Sequence, residues 1–327
     1  MKIIKSEKQL STGSTATSAD AEFPVTNLFD NHPRNVWKAD ATNEATLRIK
    51  IDLDSNAIAL FATNADDVIC TITADADEQD LDNAAAVNVG GGIVGIPCTG
   101  HGYSEDDVVL LNGTTNYDGV YTVLADGGDD QINITATYAA ETFDGDETVA
   151  EVVDTETFDL QVIDDYVHFF NDDPVIYRAF WMDYTYQMYA CTATIELTAP
   201  TDETIKAGVV KAGPAVVFSN PKYGIQEGRK DYSIKKQLRN GAWYTSKKEI
   251  VRTFSGQLMI AREDAYYAFC EVYDLKGPEP FAALIAEEAD STRDKRWVAY
   301  VMFDGEFSSQ HSTPEYTLVN WSWLEVV

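Results

Sequence analysis

Residues 51–177 contain no lysine and no arginine. The whole chain has 24 basic against 54 acidic residues, which gives a formal net charge of −30. Residues 1–200 hold 8 of the basic and 36 of the acidic residues, whereas residues 201–327 hold 16 and 18. Because so acidic a surface repels nucleic acid and anionic membranes, we expect no direct nucleic-acid recognition.

Long apolar runs are also missing. No stretch reaches roughly 18 consecutive apolar residues, the length that a membrane-spanning helix needs, so we expect no membrane insertion. The N-terminal MKIIKSEKQLSTGS has no apolar segment long enough for a signal peptide. These absences predict a protein that is made in a cytoplasm and is not exported by the usual route.

The cysteines are few and widely spaced: Cys70, Cys98, Cys191 and Cys270. No two of them form a CxxC pair, which excludes the usual ligand spacing of a zinc site. Each lies in an apolar or strand-like stretch, where a free thiol behaves as a small hydrophobic group. We therefore predict reduced, buried cysteines and no metal site.

Catalytic motifs are absent as well. The sequence has neither HExxH nor GxSxG. The four histidines are His32 and His101 in turns, His168 on a predicted strand and His311 near the last strand. None has a second ligand at metal-binding spacing, so we predict no enzyme activity, no catalytic residue and no cofactor.

Three acidic or glycine-rich features look superficially like ligand sites. GGGIVG at residues 90–95 lacks the Lys-Ser/Thr pair and the helix of a phosphate loop, so we interpret it as a linker that starts a strand. DADEQD at residues 75–80 lacks the glycine and the final glutamate of a calcium loop. Carboxylate pairs suited to glycoside hydrolysis are expected by chance among so many acidic residues, which leaves a glycan-degrading enzyme as the weakest alternative.

Most of the remaining sequence alternates between apolar and polar residues with period two, which predicts half-buried strands. The clearest are residues 47–53, 68–74, 131–138, 191–199 and 297–305. Asn-Gly at 112–113 and 240–241 and Asp-Gly at 118–119 predict hairpin turns. One helix is predicted from Ala261 to about Lys276, where Gly277 and Pro278 stop it. The fold class is therefore all-β with one helix.

Composition divides the chain into three parts. Residues 83–150 are flanked by the acidic links DADEQDLDNAAA and DGDETVAEVVDTET and are predicted to form an inserted, small β-barrel-like module. Residues 1–82 and 151–213 have enough strands for a sandwich only when combined, so we predict one discontinuous domain. Residues 214–327, where the charge balance changes, are predicted to be a separate C-terminal β-sandwich.

The discontinuous domain resembles a discoidin-like, galactose-binding-like jelly roll. Leu28, Asp30 and Trp37, followed by the strand LRIKIDL, resemble the start of such a domain. The stretch YRAFWMDYTYQMYACTATIELTA resembles its closing strands. The resemblance covers about residues 20–75 and 158–213, and it implies a jelly roll whose loops could recognise host glycan.

The inserted part, at about residues 88–145, resembles a small β-module met repeatedly in bacteriophage virion proteins. The resemblance rests on the turn GHGY, the hairpin GTTNYDGVY and the end YAAETF. The module carries no basic residue here, so an acidic ligand is not expected. Tyr103, Asn116 and Tyr117 are the candidate surface-contact residues, since an amphipathic ring at a turn can meet a partner or a glycan. Packing within the module is the alternative.

Residues 215–327 are similar to a region common in phage tail-tip proteins. The order is YGIQEGRKDYS, a hairpin at LRNGAWY, a strand ending in FSGQLMI, a helix, a Gly-Pro-x-Pro-Phe segment and two final strands. This order resembles the sandwich-plus-helix plan of tail tubes and distal tail rings. Trp321 and Trp323 are expected in the core or at a subunit interface rather than in sugar stacking, and Trp37 is expected to anchor a core.

These resemblances imply a structural component of a bacteriophage tail tip, in the distal tail ring or baseplate. The expected partners are other phage tail proteins and further copies of the chain in a homo-oligomeric ring. The expected location is the virion tail, assembled in the host cytoplasm. A carbohydrate-binding adhesin that attaches to host glycan is the first alternative.

Overall fold

The computed structural model describes residues 1–125, 127–162, 175–176, 178–199, 203–219, 225–237, 243–261, 264–286, 297–305, 307–313 and 315–326. The predicted fold class is confirmed, because the described residues are mostly antiparallel β-sheet in sandwich-like layers, and their one α-helix lies near the C-terminus. His168 and the Asn-Gly turn at 240–241 lie outside the described residues.

The strands are numbered in chain order. The first seven are β1 (Lys2–Ile4), β2 (Gln9–Ala16), β3 (Trp37–Thr42), β4 (Glu44–Ile51), β5 (Ser55–Phe61), β6 (Asp67–Ala74) and β7 (Gln79–Asp80). The next six are β8 (Val87–Gly90), β9 (Ile93–Pro97), β10 (Val108–Asn112), β11 (Gly119–Thr122), β12 (Gln131–Thr135) and β13 (Thr148–Asp159). There follow β14 (Gln161–Val162), β15 (Val175–Ile176), β16 (Ala179–Gln187), β17 (Cys191–Thr198), β18 (Thr204–Ala207), β19 (Val209–Gly213) and β20 (Ala215–Val217).

The last strands are β21 (Gln226–Asp231), β22 (Ile234–Gln237), β23 (Trp243–Ser246), β24 (Ile250–Ala261), β25 (Phe281–Leu284), β26 (Val298–Phe303), β27 (Ser308–His311) and β28 (Tyr316–Glu325). The helix α1 is Asp264–Lys276, and 3-10 turns occupy Val25–Phe29 and Asp75–Asp77. Gly277 has a φ of 48° and donates its amide to the Tyr273 carbonyl at 2.8 Å, so it ends the helix as predicted.

The first sandwich packs a sheet of order β13-β6-β17-β4-β2 against a sheet of order β16-β5-β19. In β4 the side chains of Leu47, Ile49 and Ile51 are buried, and their neighbours are partly exposed. Strand β5 instead buries both faces. Its continuous apolar run places Ile58 and Leu60 in this core and leaves the alternate residues for a second core.

The inserted module, residues 79–151, lies in the sequence between β6 and the second part of β13. These two segments are hydrogen-bonded neighbours in the first sheet. Strand β13 pairs with β10 and β7 in its first part and with β6 in its second, and the register shifts between Val152 and Asp154. Thr73 is paired with Val152, so the insertion begins and ends at adjacent points. A second sheet, β12-β9-β8, closes the module core.

The C-terminal unit is a sheet of order β20-β1-β25-β26-β28-β24-β21, and β27 pairs with β28. Phe269 and Val272 of α1 are fully buried in its core, whereas Leu275 is exposed. Residues 1–82 were predicted to belong to the jelly roll, but β1 pairs with β20 and β25 of this C-terminal sheet. The chain therefore crosses from one unit to the other between Ile4 and Gln9.

An apolar junction joins the first sandwich to the C-terminal unit. Ala57, Ala59 and Phe61, on the outer face of β5, pack against the C-terminal sheet in one buried cluster. The Phe61 ring centroid lies 5.3 Å from that of Tyr300 on β26. The junction is thus built from the face of β5 that the first core does not use.

One carboxylate fixes the crossover segment at this junction. Glu7 accepts hydrogen bonds from Lys211 of β19 at 2.7 Å and from Lys276 at the end of α1 at 3.1 Å. The Lys211 side chain is 1% exposed and also donates to Asn31. Burial raises the pKa of Glu7, but the two ammonium groups outweigh it and the net pKa is lowered. Burial lowers the pKa of Lys211, against the effect of Glu7.

Replacing Glu7 by glutamine is expected to destabilise the fold by about 2–4 kcal/mol, because two buried lysines lose their counter-charge. The Glu7 side chain is 28% exposed, so we expect less than the loss from a fully buried pair. Chemical denaturation at neutral pH measures this free energy of unfolding. Because the folded pKa of Glu7 lies below 4.5, the difference between the two proteins should shrink as the pH falls through that pKa.

The matched control is Glu249→Gln, which removes an ion pair with Arg34 whose two side chains are 66% and 53% exposed. A surface pair of this kind contributes about 0–1 kcal/mol. Equal losses for Glu7→Gln and Glu249→Gln would contradict the structural role of the junction carboxylate.

Candidate interaction surface

The module is attached at one end of the first sandwich, which we call the distal end. Ile51, Ala74 and Cys191 are neighbours across three adjacent strands there. The Asp75 amide donates to the Ala190 carbonyl at 3.1 Å, so the root of the module touches the β16–β17 turn. The turn between β4 and β5 lies at the same end, since Ser55 pairs with Gln187.

The GHGY turn holds the module together internally. His101 is buried, its Nδ1 accepts from the Tyr103 amide at 3.0 Å, and its Nε2 lies 2.8 Å from the Gly128 carbonyl. This geometry suits the tautomer in which Nε2–H donates to the Gly128 carbonyl. The Tyr103 hydroxyl donates to the Asp77 carbonyl at 2.7 Å, which ties the turn to the root of the module.

The TTNYDG loop is clamped by two carboxylates. Asp118 accepts from the Thr114 amide at 2.7 Å and from the Thr114 hydroxyl at 2.9 Å. Glu141 accepts from the amides of Thr115 at 2.5 Å and Asn116 at 2.9 Å, and from the Asn116 side chain at 3.1 Å. These bonds turn the Tyr117 ring inward, where it is fully buried.

The three candidate contact residues therefore lie in different environments. Tyr117 belongs to the module core, so the expectation that it contacts a partner is wrong and the packing alternative describes it. Tyr103 is half-buried and stacks on His101, with ring centroids 5.6 Å apart. Asn116 alone of the three is exposed, with its amide held by Glu141.

Two adjacent turns of the module form an acidic edge, defined as Glu105, Asp106, Asp107, Asp129 and Asp130. The Asp129 carbonyl accepts from the amides of Gly100 and His101, which holds the 129–130 turn against the GHGY segment that leads into Glu105. Glu151 lies near this edge, and its pKa is raised by burial and then by the charges of Asp107 and Asp77. Like charges here are thus close enough to repel each other.

The distal end also exposes a group of apolar side chains: Leu53, Tyr186, Met188 and Tyr189. Tyr189 is 66% exposed. The Tyr186 hydroxyl donates to Asp54 at 2.7 Å, and this hydrogen bond raises the Tyr186 pKa. The other aromatic residues of interest are buried as expected, namely Trp37, Trp321 and Trp323.

A basic arm, defined as residues 226–252, of which 226–237 and 243–252 are described, extends from the edge of the C-terminal sheet. It consists of the stem β21–β24 and the ribbon β22–β23. It holds eight of the 24 basic residues of the chain and three acidic ones. The change in charge balance after residue 200 was visible in the sequence, but its concentration in one hairpin was not recognised. A count over short windows would have found it.

Metal-binding chemistry is not apparent in the described ranges, where no group of three His, Cys, Asp or Glu could hold an ion. In the Asp75–Asp80 stretch, Lys50 pairs with Asp75 at 3.3 Å and Arg48 pairs with Glu78 at 2.8 Å. All four cysteines are free, and Cys270 is half-buried while the other three are buried. No helix among the described residues is long and apolar enough to cross a membrane.

No protein-family model matches the sequence, and no curated protein matches it significantly. Among the described residues, three surfaces have chemistry suited to binding a partner: the acidic edge, the exposed distal aromatics and the basic arm.

Proposed function

We propose that this protein is a structural subunit of a bacteriophage tail tip, which associates with further copies of itself and with other tail proteins. The observation that carries the proposal is the C-terminal unit. Its described residues combine one large antiparallel sheet, a packed helix and a projecting hairpin, in an order that resembles that of tail-tip proteins.

The character of the inserted module supports a structural role. Its conspicuous residues serve as internal ties: His101 and Tyr103 join turns, Glu141 clamps a loop, and Tyr117 fills the core. A module that is stiffened in this way and lacks basic residues is suited to extending the subunit and contacting a neighbour rather than to catalysis. Its attachment through the continuous strand β13 gives it a fixed direction relative to the jelly roll.

The proposal predicts that the chain is present in purified virus particles in a small, defined number of copies, on the order of three to twelve, as expected for a closed ring. Quantitative mass spectrometry against an isotope-labelled standard of this chain measures that number. Hundreds of copies would place the protein in the tube or on the capsid. Absence from particles would overturn the proposal.

A second candidate is a carbohydrate-binding adhesin, and the exposed distal aromatics favour it. Tyr186 and Tyr189 offer ring faces at the loops of a jelly roll, and Asp54 provides a carboxylate beside them. Aromatic rings and a nearby hydrogen-bonding group are the usual means of holding a sugar.

For the adhesin, the double variant Tyr186→Ala/Tyr189→Ala should weaken glycan binding by about tenfold or more, because the stacking surface is removed. A glycan array followed by competition with free sugar provides the measurement. Tyr267→Ala is the matched control, since Tyr267 on α1 is also exposed, at 68%, but lies in the C-terminal unit. Binding that is unchanged in the double variant, or absent from the parent protein, would exclude this role for the distal end.

A further inference from the structure

The ribbon of the basic arm exposes apolar and cationic side chains together. Ile234, Tyr244 and Ile250 are each about half exposed, at 52%, 53% and 51%. Lys236 lies directly opposite Tyr244 in the register and is exposed, as are Lys247 and Lys248. An exposed surface with this mixture is typical of a docking element rather than of a solvated loop.

The ribbon has little support from its own chain. Strands β22 and β23 pair with each other and, within the described part of the chain, with no other strand. A two-stranded hairpin alone is at best marginally stable in water. A partner that covers Ile234 and Tyr244 would supply the missing burial, and it must carry negative charge to match the lysines.

The acidic edge of the module has the complementary charge. It lies within residues 51–177, which contain no lysine or arginine. Of its carboxylates, Glu105, Asp106, Asp129 and Asp130 are exposed. The repulsion among carboxylates around Glu151 would be relieved by a cationic partner.

The arm and the acidic edge are anchored at opposite ends of the jelly roll. Glu249 of the arm pairs with Arg34, and the adjacent Pro33 carbonyl lies against Gly208. Gly208 in turn lies against Ala62 and donates its amide to the carbonyl of Phe61, the last residue of β5. The module is rooted at the distal end, beside the turn that enters β5. The seven residues of β5 separate the two ends by about 20 Å or more.

We propose that the basic arm of one copy docks on the acidic edge of a second copy of this chain, head to tail. Complementary surfaces at opposite ends of a subunit form a heterologous interface, which closes into a ring when the rotation between neighbours permits. This inference rests on the proposed function, because it names the contact through which the copies associate.

Charge reversal in the full-length chain tests the contact. The arm variant Lys236→Glu/Lys247→Glu/Lys248→Glu and the module variant Glu105→Lys/Asp129→Lys/Asp130→Lys should each weaken self-association by about tenfold or more at low salt. Sedimentation velocity over a concentration series measures the association. Lys8→Glu/Lys38→Glu/Lys206→Glu, with the same charge change outside the arm, should associate like the parent, and circular dichroism checks the fold of every variant.

Mixing the arm variant with the module variant should restore association to within about twofold of the parent, since each then meets a neighbour of opposite charge. Restoration by mixing cannot be produced by variants that fail to fold. In about 1 M salt, where the screening length is about 3 Å, the parent should also dissociate. A mixture that stays dissociated, or an arm variant that associates like the parent, would overturn the proposal.

The outcomes separate this inference from the proposed function. If particles contain a few copies but self-association does not change when the arm charges are reversed, the docking contact is wrong and the structural role stands. If the chain is missing from particles but the mixture restores association, the role is wrong and the contact stands. A parent protein that is monomeric at every concentration and at low salt, or whose arm binds heparin instead of a second copy, would also overturn the contact.

Discussion

The two units of this protein are held in one arrangement by the crossover segment that carries Glu7. Its carboxylate accepts from Lys211 of the first sandwich and from Lys276 at the end of the only α-helix among the described residues. In addition, β5 packs one face into the core of the first sandwich and its other face against the C-terminal sheet. The two units are therefore joined by a strand as well as by the ion pairs of Glu7. The positions of the module and the arm relative to each other follow from this junction.

Segregation of charge is the second constraint. A chain with a net charge of −30 would repel its own copies unless part of its surface were positively charged. The arm is that surface, and its charges are supported by a stem in which Arg252 pairs with Glu325 of β28. The proposed contact places attraction at the arm of each copy, and repulsion between the acidic surfaces disfavours other contacts.

Alternation with period two was sufficient to predict β4, β6 and β17, because every second side chain enters the core and is apolar. In β17 the alternate residues Thr192 and Thr194 are buried as well, but their polar side chains preserve the pattern in the sequence. It could not assign β1, since three residues carry no periodic signal and their partners lie more than 200 positions away. Tyr117 was misjudged for a local reason. A turn composition suggests exposure, but the bonds of Asp118 and Glu141 direct this ring inward. Only the charge of the docking surface could be predicted from the sequence. Its apolar part could be identified only from the structure, in which Ile234 and Tyr244 are about half exposed.

The most direct test of the account is zero-length carbodiimide crosslinking of an equal mixture of nitrogen-14 and nitrogen-15 protein. It joins a lysine to a carboxylate only when the two are in ion-pair contact. We expect crosslinked peptides between Lys236, Lys247 or Lys248 and Glu105, Asp129 or Asp130, with half of them carrying both isotopes because they join different copies. Crosslinks from the arm that are confined to one isotope, or that fall only outside the acidic edge, would contradict the account.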